Sequence, residues 1–318
     1  MSTCSVIILN WNGAQMLRRF LPSVVRSLTN HQSPITNHPS PITIHQCSLI
    51  VADNGSTDDS LTVLANEFPG VQTIVLDRNY GFAEGYNRAI DRIDSDYVVL
   101  LNSDVETPDG WLEPLLAYMD ANTDIAAVQP KIRSCQRPDF FEHAGAAGGY
   151  LNALGYPYCR GRKLWCVEQD NGQYDTIVDV DWTSGACMCV RTKVYKELGG
   201  LDARFFAHME EIDLCWRMRN AGWRLACVPQ SMVYHLGGGS LSYDNPRKNY
   251  LNHRNNLVMI RKNKKHPFGV LFVRFFLDYA AAFFYLLQGR PQSFLAVFSA
   301  RRDYHRMIAN RYPLNIKH

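Results

Sequence analysis

The stretch Asp96-Tyr97-Val98-Val99-Leu100-Leu101-Asn102-Ser103-Asp104 constrains the fold more than any other part of the chain. Four consecutive apolar residues, two of them β-branched, call for a strand covered on both faces, as in a parallel sheet. The run stops at three polar residues and a turn at Thr107-Pro108-Asp109-Gly110. Ligands of open α/β sheets sit beyond the carboxyl ends of the strands, so Asp104 stands at an address for chemistry. A carboxylate there is a hard oxygen donor suited to Mg²⁺ or Mn²⁺. The plainer alternative is a cap for the following turn.

The same pattern recurs upstream. Residues 5–9, 49–52 and 72–76 are apolar runs that end on Asn10-Trp11-Asn12-Gly13, Asp53-Asn54-Gly55-Ser56-Thr57-Asp58 and Arg78-Asn79-Tyr80-Gly81. Helical spacing separates them, through Leu17, Phe20, Leu21 and Val24, then Leu61, Leu64 and Phe68, then Tyr86, Ile90 and Ile93. Ser56 or Thr57 is placed to cap the second helix. Strand and helix in alternation predict an α/β fold with a mostly parallel sheet and right-handed crossovers. The polar strand ends then gather at one sheet edge, where a nucleotide is the usual occupant. The chain lacks a Gly-x-Gly-x-x-Gly and a Walker lysine, which weighs against a dinucleotide enzyme and a P-loop NTPase. A net charge of +3 over 318 residues gives no argument for nucleic acid as a partner.

Other segments are less informative. Residues 30–46 contain a near-repeat of seven residues rich in Pro and Ser, read as a mobile insertion with no part in chemistry. A helix is expected from Thr107-Pro108, with Trp111, Leu112, Leu115, Leu116 and Met119 on its apolar side. Residues 130–175 suggest loops or an irregular hairpin, without an assigned role. Residues 176–182 read as a strand, and a helix over 193–198 stops at Gly199-Gly200. Glu210, Glu211 and Asp213 then place three carboxylates within four residues. They repel each other on a plain helix, and make sense where cations or protons are handled. Glu210 and Asp213 share a helical face while Glu211 points elsewhere. The bland alternative is a solvated helix start with Arg217 and Arg219 as counter-ions.

In order along residues 3–260, several motifs resemble those of the family 2 glycosyltransferases, which have the nucleotide-sugar-binding GT-A fold. They are Val6-Ile7-Ile8-Leu9-Asn10-Trp11-Asn12-Gly13, Asp53-Asn54-Gly55-Ser56-Thr57-Asp58, Asn79-Tyr80-Gly81-Phe82-Ala83 and Leu101-Asn102-Ser103-Asp104-Val105. Gly199-Gly200-Leu201-Asp202, Glu210-Glu211-Ile212-Asp213-Leu214 and Tyr234-His235-Leu236-Gly237-Gly238-Gly239-Ser240 complete the set. The subgroup that includes bacterial rhamnosyltransferases is the nearest in appearance. The resemblance implies a donor site at Asn10, Asn12, Asp53, Asn79, Gly81, Asn102, Ser103 and Asp104, with Asp53 accepting from the donor's pyrimidine. It implies a divalent metal, Mn²⁺ or Mg²⁺, on Asp104 and His235. Asn102 replaces the first Asp of the family's Asp-x-Asp motif, and Glu211 holds the catalytic-base position usually occupied by Asp. Glu210 and Asp213 are the reserve candidates. Trp11 and Trp182 could stack on a base or sugar, with a core role equally open. Arg254, within Asn252-His253-Arg254-Asn255-Asn256, could steady the diphosphate or acceptor, and a solvated surface arginine is the preferred reading.

The expected division is a catalytic domain over 1–258 and an amphipathic helical region over 259–318. Residues 268–287 are apolar except for Arg274 and Asp278, a pair four apart on one helical face. Two charges near the centre disfavour a membrane span, and Arg261, Lys262, Lys264, Lys265 and His266 upstream suit anionic headgroups. A helix lying on a membrane surface is therefore expected. A helix packed on the catalytic domain or in a homodimer interface is the alternative. Nine scattered cysteines without zinc spacing, and a strand pattern in place of a signal peptide, point to the cytoplasm at the inner face of the membrane. The expected activity is inverting, metal-dependent sugar transfer from a nucleoside diphosphate to a surface-polysaccharide or lipid-linked acceptor. Two rivals remain: a degenerate nucleotide-sugar-binding scaffold, and a sugar nucleotidyltransferase. The latter lacks its basic, glycine-rich triphosphate loop.

Overall fold

A computed structural model describes residues 2–31, 46–143, 145–163, 166–237 and 245–309. The 30–46 insertion lies almost wholly outside those residues, as do Gly238, Gly239 and Ser240 of the last motif. The first half follows the expected alternation: β1 (Thr3–Asn10), α1 (Ala14–His31), β2 (Gln46–Asp53), α2 (Ser60–Glu67), β3 (Gln72–Val75), α3 (Gly81–Ile90) and β4 (Tyr97–Asn102). Then come β5 (Val105–Glu106), α4 (Glu113–Ala121), β6 (Ile125–Ser134) and the short strands β7 (Gly149–Leu151), β8 (Pro157–Cys159), β9 (Arg162–Lys163), β10 (Cys166–Val167) and β11 (Val178–Asp179). The chain continues through β12 (Cys187–Arg191), α5 (Thr192–Glu197), α6 (Glu210–Asn220), β13 (Arg224–His235), α7 (Pro246–Asn263), α8 (Pro267–Leu287) and α9 (Pro291–Ala309).

One sheet runs in the order β11-β13-β6-β12-β4-β1-β2-β3, with β5 paired to β13. The pairs β1–β2, β1–β4, β2–β3 and β6–β13 are parallel, while β12 is antiparallel to both its neighbours. Two buried clusters cover the sheet faces. One is centred on Ile7, Val98 and Leu100, the other on Val6, Val99 and Leu101. Neighbours along a strand alternate between faces, so the unbroken apolar run of β4 is what a doubly covered strand requires. All nine cysteines are free thiols.

Several details differ from expectation. The helix after Thr107-Pro108 starts at Glu113, with Pro114 in its first turn, and the Thr107 hydroxyl is buried on Ser27 (3.0 Å). Neither Ser56 nor Thr57 caps α2. Asp58 instead accepts from the Ser60 N–H at 3.0 Å. Of residues 176–182 only Val178–Asp179 pairs as a strand, and Trp182 makes an isolated bridge to Gly149. The loop-rich part of 130–175 holds two small antiparallel pairs, β7–β8 and β9–β10. α7 runs uninterrupted across the expected boundary at 258.

The C-terminal helices pair an inward polar face with an outward apolar one. Arg274 and Asp278 are both 1% exposed. Arg274 donates to Asp278 (3.2 Å) and to the Leu154 carbonyl (3.1 Å), and its guanidinium lies 3.7 Å from the Tyr156 ring centroid. Arg301 of α9 reaches the other Asp278 oxygen at 3.2 Å. Outward stand Phe268, Phe272, Phe276, Phe283 and Leu287, the last 85% exposed. α8 is, among the described residues, the one helix long and apolar enough to cross a membrane by length and composition. Lys262, expected in a basic lipid-facing group, turns inward to Asp202 (2.9 Å) and Asp213 (2.7 Å).

Candidate active site

Parallel pairing of β1 with β2 sets Asn10 beside Asp53 at the carboxyl edge. Asp53 accepts from the Asn10 amide (3.0 Å) and from the Ser56 N–H (2.9 Å). Asn12, at φ 50°, accepts from the Thr57 N–H at 2.7 Å, a left-handed conformation that Asn tolerates better than most residues. Asn54 donates to Asn79 (3.2 Å) and to the Gly81 carbonyl (3.0 Å), and Asn79 accepts from the Gly81 N–H (2.8 Å). Gly81, at φ 78°, is required twice over, because a Cβ would stand 2.8 Å from the Phe206 ring. Trp11 is 54% exposed at this edge. Trp182 is not a free stacking surface: it is buried, donates to the Tyr150 carbonyl (3.0 Å) and packs directly on Gly149. Its expected donor role gives way to a core role.

Asn102 ends β4, and Ser103 and Asp104 form the half-buried turn into β5. Antiparallel pairing of β5 with β13 sets His235 opposite Val105, and the Leu236 N–H bonds the Asp104 carbonyl at 3.0 Å. Side chains 131 positions apart therefore meet: His235 Nε2 lies 3.0 Å from Asp104 Oδ1 and 3.4 Å from the Asn102 amide. On its other side, His235 Nδ1 is 3.7 Å from Glu142 Oε2. Burial works against a charge on this imidazole, but Asp104 and Glu142 outweigh it and raise its pKa to about 10. Glu142 was not singled out from sequence. It sits in the aperiodic stretch after β6, where nothing distinguishes one carboxylate from the next.

The donor set fits a divalent cation. Two adjacent ligands on an octahedral ion with bonds of about 2.1 Å stand about 3.0 Å apart. The Asp104–His235 pair has that spacing around a shared proton, whose place a cation would take. Among the described residues no group of three or more His, Cys, Asp or Glu forms a metal cluster. Two protein donors leave most of the coordination shell for phosphate oxygens and water, the usual arrangement for Mg²⁺-type ions on nucleotides.

The third part of the site is the start of α6. Phe206, His208 and Met209 have φ of 65°, 69° and 73°. Non-glycine residues in this region cost about 1–2 kcal/mol each, and they persist where the surroundings over-determine them. Glu210 and Glu211 follow directly. Glu210 is buried with Oε2 unpartnered, and its pKa is raised well above normal, chiefly by burial and then by Glu211 and Asp213. Glu211 Oε2 also lacks a partner. Burial raises the Glu211 pKa to about 7, while backbone N–H groups at the helix start pull it down.

Asp213 acts on this pair only through its charge, and its own oxygens are turned elsewhere. It is fully buried and accepts from Arg217 (2.9 Å), Lys262 (2.7 Å) and Asn263 (2.7 Å), so it anchors α6 to α7. Arg219 pairs with Asp181 (2.9 Å), away from the three carboxylates. Arg254 is not a solvated arginine either. It donates to the Phe205 carbonyl at 3.0 Å and to Asn255 at 2.9 Å.

The turn before β12 joins the parts. The Asn102 N–H bonds the Ala186 carbonyl at 3.0 Å, and a methyl placed on neighbouring Gly185 would lie 3.7 Å from the Glu211 side chain. One loop thus touches the strand end before Asp104 on one side and Glu211 on the other.

Known proteins share this architecture. GalNAc-T7, solved with UDP, GalNAc and Mn²⁺, superposes at a TM-score of 0.60 with 16% identity, over 99% of this chain and 58% of that one. The Pyrobaculum calidifontis mannosyltransferase PcManGT, in complex with GDP-Man and Mn²⁺, gives 0.55 with 14% identity, covering 96% of this chain and 78% of the other. Both are GT-A glycosyltransferases. The N-acetylglucosaminyl-diphospho-decaprenol L-rhamnosyltransferase of Mycobacterium tuberculosis is 29% identical over 215 residues, 62% of this chain and 69% of that protein. Rhamnosyltransferase WbbL of Escherichia coli is 25% identical over 163 residues, 49% of this chain and 61% of that one. The description of Glycosyl transferase family 2 matches residues 5–197, more than half of the chain. The chain is therefore a glycosyltransferase enzyme and belongs to family 2.

Proposed function

We propose that the enzyme transfers a sugar, rhamnose on the likeness to its relatives, from a nucleoside diphosphate to a lipid-linked or surface-polysaccharide acceptor with inversion. The observation that carries this reading is the unpartnered Glu211 oxygen, one loop away from the Asp104–His235 pair. Asn10, Asp53 and Asn79 would line the nucleoside end, and Asn102 and Ser103 the diphosphate end. A divalent cation on Asp104 and His235 would neutralise charge on the departing diphosphate. Glu211 would take the proton of the acceptor hydroxyl as the new bond forms on the face opposite the leaving group. One base suffices for such a direct displacement, and the burial that raises the pKa of neighbouring Glu210 works against a second charge there. The outward aromatic face of α8 supports an enzyme lying on a membrane surface, at its cytoplasmic side, within reach of a lipid-linked acceptor.

The test pairs binding with turnover. A thermal-shift screen of nucleoside diphosphate sugars should show a rise in Tm that needs Mn²⁺, because a ligand that binds the native state stabilises it. Glu211→Gln should keep that shift and lose transfer by about 10³-fold. Unchanged transfer in this variant rejects Glu211 as the base, and a shift without any transfer in the parent favours a binding module.

A further inference from the structure

The loop between Asp202 and α6 is held by side chains that no glycosyltransferase chemistry calls for. Its three left-handed residues turn the carbonyls of Phe205, Ala207 and His208 toward a single point. At that point sits the side-chain amide of Asn255 in α7, completely buried, at 3.1, 2.9 and 2.7 Å from the three oxygens. Converging buried carbonyls repel one another and each requires a donor; the Phe205 oxygen also accepts from the Ala207 N–H at 2.8 Å, so the amide matters most to the oxygens of Ala207 and His208. Arg254 adds a bond to the Phe205 carbonyl at 3.0 Å, and its Nε donates to Asn255 Oδ1 at 2.9 Å, which fixes the way the amide faces. The far side of the loop is pinned too. The Phe206 carbonyl accepts from the Phe82 N–H at 3.0 Å, and its ring closes over Gly81.

We propose that Asn255 is a positioning residue for sugar transfer: by gathering three loop carbonyls it holds the left-handed turn that aims Glu211 at the acceptor. The proposal rests on the reading of Glu211 as the base. The alternative is that Asn255 only ties α7 to the body, as Asn263 does. Asn263 lies two turns further along the same helix, is also buried, and donates to Asp213 (2.7 Å) and to the Met259 carbonyl (3.0 Å) without touching the loop. It is the natural control.

Asn255→Asp keeps the shape and the acceptor for Arg254 but removes both N–H donors. Measured well below its Tm with saturating Mn²⁺, it should lose kcat by about 100-fold, the effect of a displacement on the order of 1 Å at a reacting group. Its KM for the sugar nucleotide should stay within threefold of the parent. Asn263→Ala should lower Tm and leave kcat per folded molecule within threefold. His208→Gly provides a second approach that leaves α7 intact. Glycine accepts φ 69° without strain, so Tm should hold or rise while kcat drops at least tenfold, because the loop is freed from a single shape. A folded Asn255→Asp with parental kcat overturns the proposal. Should that variant fail to fold, a His208→Gly enzyme with parental kcat does the same. Transfer by Glu211→Gln at the parental rate would instead remove the base reading, so the two failures are separable.

Discussion

The two edges of the site are built by opposite means. On the donor side, Asn10, Asn12, Asp53, Asn54, Asn79 and Ser56 bond to one another and to backbone N–H groups, at 2.7–3.2 Å. On the base side the backbone is left-handed at Phe206, His208 and Met209, and two carboxylate oxygens are buried without partners. The first edge is a cradle closed by short-range hydrogen bonds, in which, among the described residues, only the buried Asn10 Oδ1 lacks a partner and only Asn12, of the non-glycines, has a positive φ. The second stores backbone strain and unpartnered carboxyl oxygens, and a helix from outside the family-matched segment holds it in place. A binding surface can be assembled from local hydrogen bonds. A proton acceptor must be left wanting a proton, and the surroundings have to keep it so.

The largest effect should come where the two edges meet. Asp104→Ala removes one of the two side chains proposed to hold the cation, and kcat/KM should fall by about 100- to 1000-fold, the loss typical of a missing electrostatic stabiliser. The Mn²⁺-dependent part of the donor thermal shift should vanish with it. Retained metal-dependent binding in this variant would break the assignment of the metal edge.

Glu142→Gln is the next test. It leaves Asp104 and His235 in place and alters only the carboxylate on the far nitrogen of the imidazole. Partners of this kind orient a ligating histidine, and their loss typically weakens metal binding about 10- to 100-fold. A Mn²⁺ titration in the presence of nucleoside diphosphate reads this directly. Unchanged affinity would make Glu142 a bystander.

The base edge should also respond to pH in a way the donor edge does not. Glu211 must be ionised to accept a proton, so kcat/KM should rise with pH and level off above about 7, falling tenfold for each unit below. Stability should move the other way. A carboxyl whose folded pKa is raised contributes stability that is complete below its ordinary value of 4.5 and is lost as pH climbs through about 7. Glu211→Gln should flatten that decline in a Tm-versus-pH series, and a decline of the parental size would assign it to Glu210 instead.

The gathering of polar strand ends at one edge was legible in the sequence because each of its parts is local. Apolar runs stop at Asn10, Asp53 and Asn102, and parallel pairing in register places those stops side by side without further information. The Asp104–His235 pair was also within reach, since Asp104 follows the end of β4 by two residues and His235 stands two before Gly237. What joins them, a two-residue strand at Val105–Glu106 lying against β13, has no periodicity to detect. Glu142 and Asn255 were invisible for a related reason. Their roles depend on contacts across 93 and about 50 residues of chain, and neither sits in a pattern that singles it out. Asp213 misled in the reverse sense. Its spacing from Glu210 is that of a shared active-site face, yet the face turns inward, where Arg217, Lys262 and Asn263 consume its charge. For Trp182, composition left two roles open, and Gly149 beneath its ring decides for packing.

The smallest effect should separate the cradle from the strained turn most sharply. Asn12 and His208 both have positive φ, but only the Asn12 side chain caps backbone N–H groups, those of Thr57 at 2.7 Å and Asp58 at 3.4 Å. Asn12→Gly keeps the backbone comfortable and removes the caps, of which only the 2.7 Å bond to Thr57 is short, so it should cost about 1 kcal/mol of stability, the worth of that bond. In a chain of this size that is a Tm decrease of about 2 °C. Donor KM should rise a few-fold and kcat should not change, because the loss falls on the cradle and not on the base. A kcat defect in Asn12→Gly, measured at saturating donor, would mean that the two edges are one mechanical unit and that the division between them is wrong.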